Sequence, residues 1–510
     1  MKNFRIWFIK RYSPLEQLLW IGFFVRLFSV IFSKGFGWHD DHFLIIEPAQ
    51  SWVDGFDYNA WMPSPEHPER VAQGHPLLYT GFHYYLFLFF KLIGFNNPQG
   101  KMLVVRFIHA LWSLLIIKYG YLIAKQYSNS RVAWYTGIFL ALFWFMPFIS
   151  VRNLAEFVSV PPVLIAIYLL IKNNRNTRDY LLAGLWLGIG ISMRFQLVFI
   201  LIGLAIGLLI QRTNIKSLLL ILGGFCISAF LGTCLIDIVI WKKPFAEFWS
   251  YVDYNLQNVG VYGTDNVWMY FQLIFGLLIP PLSFVLFAGY FYSWKKTPLL
   301  FWPVLIYLSF HTYFPNKQER FVLTILPLIV IAGTVGMFQL HAVYKTKINA
   351  KLFRFSKYFV IVLNLILLPI LTFSYSKRHR VETMYYLYQH NVQHDFWIED
   401  SNKENNWQQP PRFYYGKWYS DFGITKTWTA DSALTLYNQL PLKFRPNYLV
   451  FFQAENIQAR EDSTRKRFPR LKLETIIQPS FIDKTLHFLN PLNDNQTSYI
   501  YQIDSISKNN

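Results

Sequence analysis

Long apolar segments constrain this chain more than any other feature. Several stretches run for about 20 residues with few or no charges, which is the length that a helix needs to cross the hydrocarbon core of a bilayer. The chain has 510 residues, of which 53% are hydrophobic and 19% aromatic. It therefore predicts an all-α polytopic membrane protein with about 11 transmembrane helices, near residues 15–33, 103–124, 132–150, 155–172, 180–193, 195–211, 217–240, 267–292, 298–314, 320–340 and 357–375.

Segment 76–95 is apolar enough to be a further span, and the distribution of basic residues decides how it is interpreted. The basic N-terminus is expected in the cytoplasm, because Lys and Arg concentrate on that side of a membrane. If 76–95 does not span, the basic and acid-free segment 345–357 also lies inside. We therefore predict an interfacial or re-entrant helix at 76–95. The acidic loop 34–75 and the tail 376–510 are then both outside.

The formal net charge of +19 would suggest a nucleic-acid partner in a soluble protein. No nucleic-acid-binding motif is present, so contact between cytoplasmic Lys and Arg and anionic membrane lipid is the better interpretation. The two cysteines, Cys226 and Cys234, share one apolar segment and have no metal-ligand spacing. The histidines also lack such spacing, and we predict neither a metal nor a cofactor.

The tail differs in composition from the rest of the chain. It is polar, with candidate strands at 447–453 and 498–503 and a candidate helix at 431–440. About 135 residues are enough for a small α/β domain. The predicted domains are a transmembrane catalytic domain over 1–375, which includes the first outer loop with juxtamembrane helices at 34–102, and an extracytoplasmic α/β domain over 376–510.

Two adjacent carboxylates, Asp40 and Asp41, follow the first span and precede Glu47-Pro48. Packing explains such a pair poorly, whereas proton abstraction at a membrane surface explains it well. One alternative is that the pair only stabilises the N-terminus of the following helix. Another is that Asp40, Glu47 and Asp54, spaced by seven residues, share one solvated helix face.

Polar residues recur at the predicted outer ends of other spans. These residues are Arg152, Asn153, Glu156, Arg194, Gln196, Tyr262, Lys317, Glu319 and Arg320. A site for a lipid phosphate would need such cations. The alternatives are that Lys317 and Arg320 extend to the interface from a helix end, that Arg194 forms a structural ion pair, and that Arg152 pairs with Glu156 four residues later.

Three motifs resemble those of the GT-C superfamily, and most of all glycosyltransferase family 22, the lipid-phosphate-mannose mannosyltransferases of GPI-anchor and N-glycan precursor assembly. They are Asp40-Asp41 with Glu47-Pro48; Asn258, Tyr262-Gly263-Thr264, Trp268, Tyr270 and Ile279-Pro280; and Asn316-Lys317-Gln318-Glu319-Arg320-Phe321 with Pro327-Leu328. The match covers roughly residues 15–340. Asn316 stands where the family has His, Gln318 where it has Glu, and Gly74-His75-Pro76-Leu77 where it has a Trp-Glu-Trp element.

The resemblance implies an inverting transfer of a sugar, with mannose the first candidate, from a polyprenyl-phosphate donor to a glycan, glycolipid or protein acceptor. It implies Asp40 as the catalytic base with Asp41 as helper or alternative. Arg320, Lys317 and Arg194 would bind the donor phosphate. Glu47, Arg152, Glu156, Tyr262 and Glu319 would bind substrate. The expected location is a bacterial inner membrane, with the site and the tail in the periplasm.

Three alternatives remain open from the sequence. A different GT-C transferase, of the aminoarabinose or protein O-mannosyl type, would share the fold and the donor chemistry. A transporter or flippase would place charges at mid-membrane and show inverted repeats, and we find neither in the sequence. A scaffold without activity would keep the fold alone.

Overall fold

The computed structural model describes residues 11–261, 264–344, 350–390, 396–399, 409–418, 430–441, 445–489, 491 and 497–503. The chain divides into two compact units. Unit 1 comprises Met1–Ile31, Asn59–Tyr85 and Val104–Phe373, and unit 2 comprises Phe32–Tyr58, Leu86–Leu103 and Ser374–Asn510. The tail thus groups with two segments of the region before residue 104. The predicted division into a transmembrane domain over 1–375 and an extracytoplasmic domain over 376–510 stays a prediction.

Helices dominate the chain as far as residue 372, as the long apolar segments predict. The α-helices are Pro14–Phe32, His39–Asp41, Glu47–Val53, Leu77–Leu92, Pro98–Tyr127, Ser130–Leu142, Met146–Ile149, Ala155–Val158, Val160–Ile171, Thr177–Met193, Val198–Ile210, Ile215–Ala229, Leu235–Trp241, Ala246–Gln257, Met269–Leu277, Leu282–Tyr292, Pro298–Tyr313, Leu326–Tyr344 and Ala350–Thr372. Short 3₁₀ segments occupy Phe195–Leu197 and Glu319–Thr324, and π turns occupy His42–Ile46 and Phe230–Cys234.

Five helices of the described residues are long and apolar enough to cross a membrane. They are Pro14–Phe32, Pro98–Tyr127, Ile215–Trp241, Leu326–Tyr344 and the Arg354–Thr372 part of the last helix. The pair Met269–Leu277 and Leu282–Tyr292 passes the same test together, although it is bent by 113°. These helices make the chain an integral membrane protein. The expected count of about 11 crossings stays a prediction.

Several predicted single spans are broken in the structure. The segment 132–150 ends its first helix at Leu142 and resumes at Met146. The segment 267–292 breaks between Leu277 and Leu282, around Pro280 and Pro281. Proline lacks an N–H group and cannot continue a helical hydrogen-bond ladder, so this break follows from the sequence. The breaks matter because polar side chains can lie at the ends of otherwise apolar helices.

Small residues let some helices of unit 1 pack with their backbones in contact. A methyl group on Gly336 would overlap the carbonyl oxygen of Gly289 on the helix Leu282–Tyr292. A methyl group on Gly184 would likewise overlap the carbonyl oxygen of Ile221. Close approach through small residues is typical of helix packing in membranes, where lipid removes the hydrophobic drive for association.

The tail in unit 2 builds a four-stranded sheet. The strands are β1 (Phe396–Glu399), β2 (Tyr448–Phe452), β3 (Leu471–Ile477) and β4 (Ser498–Ile503), in the order β1-β2-β4-β3. Strand β1 is parallel to β2, and β4 is antiparallel to both neighbours. The helices of the tail are Arg378–Gln389, Arg412–Tyr415, Ala430–Gln439, Ile457–Arg465 and Phe481–Leu489. The small α/β domain is therefore confirmed, with both predicted strands and the predicted helix in place.

A buried ion pair fixes one edge of this sheet. Arg460 donates from Nε to the Glu399 carboxylate at 2.6 Å and from Nη2 to the Glu399 carbonyl oxygen at 2.9 Å. Its Nη1 donates to the carbonyl oxygens of Phe452 and Gln453, each at 3.1 Å. Because the charge is paired and its donors are used, this pair can be buried without an unmet polar group.

Candidate functional site

The acidic pair lies at the start of a helical stretch in unit 2 that contains a π turn. His39–Asp41 is helical, His42–Ile46 forms the π turn, and Glu47–Val53 continues as α-helix. The Asp40 side chain is 41% exposed, whereas Asp41 is buried. Asp41 occupies the N-cap position of the π turn but makes no side-chain capping bond there. Side-chain capping therefore does not account for Asp41, and Asp40 keeps access to solvent.

Glu47 does not lie on a solvated face with Asp40, as one alternative held. Its side chain is fully buried, and one carboxylate oxygen lies 3.1 Å from Nε2 of His42. The backbone N–H of Phe413 donates to both carboxylate oxygens, at 3.0 and 3.1 Å. The π turn explains the difference, because its extra residue rotates Glu47 away from the face that a seven-residue spacing selects in a regular α-helix.

His42 is enclosed by aromatic rings. It stacks on Phe36 at 4.8 Å and on Tyr414 at 5.6 Å between ring centroids. Asp54, further along the same stretch, accepts from the indole N–H of Trp418 at 2.8 Å. The helical stretch 39–54 and the tail segment around 413–418 are thus joined within unit 2 by two contacts, each centred on an acidic residue. Sequence alone gave no sign of either partner.

A cationic cluster lies in unit 1, where three helix breaks meet. Glu156 belongs to the short helix Ala155–Val158, Arg194 follows the helix that ends at Met193, and Arg320 belongs to the 3₁₀ turn Glu319–Thr324. The Glu156 carboxylate lies 2.7 Å from Nη2 of Arg194 and 3.2 Å from Nε of Arg320. Glu156 is fully buried, Arg320 is buried, and the Arg194 side chain is 17% exposed.

Two glutamines orient the guanidinium groups of this cluster. Arg320 donates from Nε to Gln318 at 2.7 Å, and Arg194 donates from Nε to Gln196 at 3.2 Å. The ring of Phe321 lies below both guanidinium groups, at 5.7 Å from Arg194 and 6.0 Å from Arg320. Two guanidinium groups share one carboxylate, so the three charges sum to +1. In a poorly solvated site such an excess favours an anionic ligand.

The structure places the other predicted residues of unit 1 as follows. Lys317 is buried and donates to the carbonyl oxygen of Phe314 at 2.8 Å. Arg152 is buried over the ring of Phe148, 4.3 Å from its centroid. Glu319 is exposed, although its neighbour Arg320 is buried. Tyr262 lies outside the described residues.

Asn316 joins two of the sequence motifs. Its amide group donates to the carbonyl oxygen of Asn258 and accepts from the N–H of Gly260, both at 2.8 Å. A backbone bridge links Asn316 to Thr264, and the N–H of Gln318 donates to the Tyr270 hydroxyl at 3.3 Å. The motif around 258–270 and the motif around 316–321 therefore form one local structure, which positions Arg320.

Sequence reasoning missed Glu247, which holds the loop before helix Leu77–Leu92. Its Oε2 accepts from the N–H groups of Gly74 and His75, at 2.7 and 2.8 Å. Gly74 has a positive φ of 82°, and a methyl group there would meet the backbone of Tyr251. Burial raises the pKa of Glu247 to about 7, although these N–H groups and its other backbone donor lower it. The available signal in the sequence was an acidic residue in the first turn of the amphipathic helix Ala246–Gln257.

Among the described residues, no three His, Cys, Asp or Glu side chains gather into a set that could hold a metal ion. Independence of metals and cofactors stays a prediction.

Comparison with solved structures identifies the class to which this fold belongs. The chain matches ArnT from Cupriavidus metallidurans, in the crystal structure bound to undecaprenyl phosphate, over 97% of this chain and 98% of ArnT. The TM-score is 0.53 at 12% sequence identity, and the apo form of ArnT gives 0.51 at 11%. At such low identity the match concerns the fold alone. The fold is that of the GT-C membrane proteins.

The sequence comparisons then give the family. The chain belongs to the Alg9-like mannosyltransferase family, whose model matches residues 17–406. It is 23% identical over 370 residues to a protein from Debaryomyces hansenii named GPI mannosyltransferase 3, covering 69% of this chain and 64% of that protein. It is 22% identical over 317 residues to the Arabidopsis thaliana mannosyltransferase APTG1, covering 59% of this chain and 55% of APTG1. The match thus spans only about three fifths of these relatives.

Proposed function

We propose that the protein is an inverting glycosyltransferase that moves a sugar, mannose in the first instance, from a polyprenyl-phosphate donor to a glycan or glycolipid acceptor. The observation that carries the proposal is the buried arrangement of Arg194 and Arg320 around Glu156. One carboxylate balances one guanidinium group, and the remaining positive charge is matched by a phosphate. Family membership supports the same chemistry.

In the proposed reaction the acceptor oxygen forms a bond to the anomeric carbon of the sugar while the bond from that carbon to the lipid phosphate breaks. Arg320, Arg194 and Lys317 stabilise the negative charge that develops on the leaving phosphate. Asp40 takes the proton of the acceptor hydroxyl, a role that suits its partly exposed carboxylate. Asp41, which is buried, is the helper.

The remaining predicted residues take supporting roles in this proposal. Glu156 holds the two guanidinium groups in place, and Arg152 adds positive charge near the same helix break. Glu319 and Tyr262 are proposed to contact the sugar or the acceptor. Glu47 has its carboxylate engaged by His42 and Phe413, so we assign it the positioning of the helical stretch that bears Asp40.

Donor binding can be tested before the acceptor is known. The purified full chain in lipid nanodiscs is titrated with undecaprenyl phosphate, beside an Arg320→Ala variant and a Lys296→Ala control on an exposed loop. We expect wild type and control to bind alike and Arg320→Ala to bind at least about tenfold more weakly, since a charged hydrogen bond contributes about 1.5–3 kcal/mol. Equal binding by all three proteins would contradict the proposed phosphate site.

Transfer is tested with radiolabelled polyprenyl-phosphate mannose and a panel of glycan, glycolipid and peptide acceptors. We expect label to move to one acceptor class, with release of the lipid phosphate in equal amount. If the intact wild type binds the donor yet neither transfers nor hydrolyses it with any acceptor, the catalytic proposal fails while the binding proposal stands.

We further propose that the outer loop and the tail both face the periplasm of a bacterial inner membrane. Cysteines are introduced one at a time at the exposed positions Glu66, Ser463 and Lys296, in a chain from which Cys226 and Cys234 are removed. A membrane-impermeant maleimide is expected to label the Glu66 and Ser463 positions in intact spheroplasts, and the Lys296 position only after permeabilisation. Labelling of the Ser463 position only after permeabilisation would make segment 76–95 a span.

A further inference from the structure

A polar cavity of about 550 Å³ lies in unit 1, where the C-terminus of one helix meets two interhelical loops. The helix Pro98–Tyr127 contributes its last turn. The loop after Ile171 and the loop after Ile210 contribute the rest, together with Tyr180. The cavity is lined by Gln126, Tyr127, Ile171, Arg175, Tyr180, Gln211, Arg212, Thr213 and Asn214. None of these residues was assigned to the sugar-transfer site.

The charge of this cavity is of one sign. Arg175 and Arg212 both line it, and among the residues that the structure describes no acidic side chain does. The acid nearest to Arg175 along the chain, Asp179, is engaged by Lys172 at 2.7 Å and by the capping box of the helix that starts at Thr177. Asp179 is therefore already paired, and it does not line the cavity. The lining thus carries two positive charges within one concave surface.

The backbone conformation is unusual at one of these arginines, and a backbone carbonyl group binds the other. Arg212 has a positive φ of 54°, a conformation that non-glycine residues seldom adopt, and it comes directly after Gln211, the C-cap of the helix Val198–Ile210. Arg175 donates from Nη1 to the carbonyl oxygen of Leu170, which ties its side chain back to the preceding helix. Both guanidinium groups keep further N–H donors.

A buried hydroxyl group in the same cavity is evidence that a ligand binds there. The hydroxyl oxygen of Tyr127 is buried and has no hydrogen-bond partner within the described chain. Such a group normally has a partner, because leaving a polar atom buried and unpaired costs about 1–3 kcal/mol. Arg175 lies within electrostatic range of this hydroxyl. Gln126, Gln211 and Asn214 add amide groups, and the Oδ1 atom of Asn214 already accepts from Ser217.

We propose that this cavity binds a phosphate group, with the two arginines as charged donors and Tyr127 as a neutral donor. Guanidinium groups can grip two oxygens of one phosphate, and hydroxyl and amide groups can take the others. The cavity is larger than inorganic phosphate needs and has room for a glycerophosphate headgroup. The interhelical loops 172–179 and 211–216 are basic and are predicted to be cytoplasmic, where anionic phospholipid is available. This proposal is independent of the proposed sugar transfer.

The test compares lipid retention by native mass spectrometry. The full chain is released from nanodiscs of equal phosphatidylglycerol and phosphatidylcholine. The variants are Arg175→Gln with Arg212→Gln, and Tyr127→Phe alone. The matched control is Lys295→Gln with Lys296→Gln, which removes the same charge from exposed residues outside the cavity. We expect the arginine pair to reduce phosphatidylglycerol retention at least about tenfold and Tyr127→Phe about threefold. The lysine control should match wild type.

A second arm distinguishes a lipid headgroup from a free phosphate. The protein in detergent is titrated with glycerol 3-phosphate and with inorganic phosphate, and its thermal unfolding is followed. A stabilisation that the arginine variant loses identifies a soluble phosphate ligand, and lipid retention without it identifies a lipid headgroup. Either result supports a phosphate site. If the arginine and lysine pairs behave alike in both arms, the proposal is overturned. Should the arginine pair fail to insert, wild-type behaviour of Tyr127→Phe in both arms overturns it.

Discussion

The buried charges of unit 2 and the cationic cluster of unit 1 differ in how they are balanced. In unit 2, Arg460 meets Glu399 and several carbonyl oxygens, while Glu47 meets His42 and the N–H of Phe413. In unit 1, Glu156 is shared by Arg194 and Arg320, which leaves positive charge in excess. Balanced burial stabilises a fold, whereas an excess of one sign needs a ligand of the other. Charge balance therefore distinguishes the pairs centred on Glu399 and Glu47, which we regard as structural, from the cluster around Glu156 that we assign to binding.

The largest effect is expected at Asp40, the partly exposed acid of unit 2. Asp40→Asn keeps the size of the side chain but cannot accept a proton, so transfer should slow by about 10²- to 10⁴-fold. Initial rates at saturating donor measure this, with thermal unfolding as the control for folding. Near wild-type turnover together with loss in Asp41→Asn would move the base to Asp41. Full activity in both variants would end the catalytic interpretation.

Loss of the balanced pair of Arg460 and Glu399 in the tail should lower stability. Arg460→Ala leaves the Glu399 carboxylate buried without its partner, which typically costs about 3–5 kcal/mol. Hydrogen exchange of β1, the strand that carries Glu399, should accelerate most. Arg465→Ala is the matched control, because Arg465 pairs with Glu461 nearer the surface. Equal exchange in both variants would contradict the contrast between the units.

Changes to Arg320 in the unbalanced cluster should weaken the use of the lipid-phosphate donor. Arg320→Lys keeps the charge but not a planar pair of donors, so kcat/KM for the lipid-phosphate donor should fall about 10- to 100-fold, and Arg320→Ala should be worse. The Tm should change little, and the dependence on acceptor concentration should stay as in wild type. A donor titration identical to wild type would favour the interpretation of Arg320 as a helix-end residue.

Glu247 gives the smallest effect at neutral pH and a defined pH dependence of stability. Its pKa is raised to about 7 from 4.5, so the folded state binds a proton that the unfolded chain has released between these values. Wild type should lose about 2–3 kcal/mol relative to Glu247→Gln as the pH rises from 4.5 through 7. The Gln oxygen can still accept both N–H groups, and Asp237, which faces the same helix turn, is present in both proteins. Parallel Tm curves over pH 5 to 8 would be the contradicting result.

The sequence predicted the fold better than the site. The strands at Tyr448–Phe452 and Ser498–Ile503 are apolar and bounded by polar segments, so the expectation at 447–453 and 498–503 was confirmed. Strand β1 has only four residues, and β3 alternates apolar residues with Lys472 and Glu474, so neither stood out from its surroundings. Membrane hydropathy reports length and polarity, and it does not register a break of a few residues such as the one after Leu142.

Site geometry depends on contacts that spacing cannot show. The sequence offered Arg152 as a partner of Glu156 at i,i+4, whereas the structure brings Arg194 and Arg320 to it from distant breaks. The partners of Glu47 could not be predicted either. His42 lies across a π turn from it, and Phe413 is 366 residues away. The residue types were predictable from chemistry. Their partners were set by tertiary packing.

The π turn at His42–Ile46 also changes what the seven-residue spacing between Asp40 and Glu47 means. In a regular α-helix that spacing would place both carboxylates nearly one above the other. With one residue more in the turn, the second acid is rotated by about 100° and can enter the protein interior while the first faces water. A relative with an unbroken helix would need a spacing of six to give the same arrangement. Loss of a single residue here would then leave Glu47 facing its partners, whereas a regular helix at the present spacing would preserve every side chain of the motif and still separate the acid from those partners.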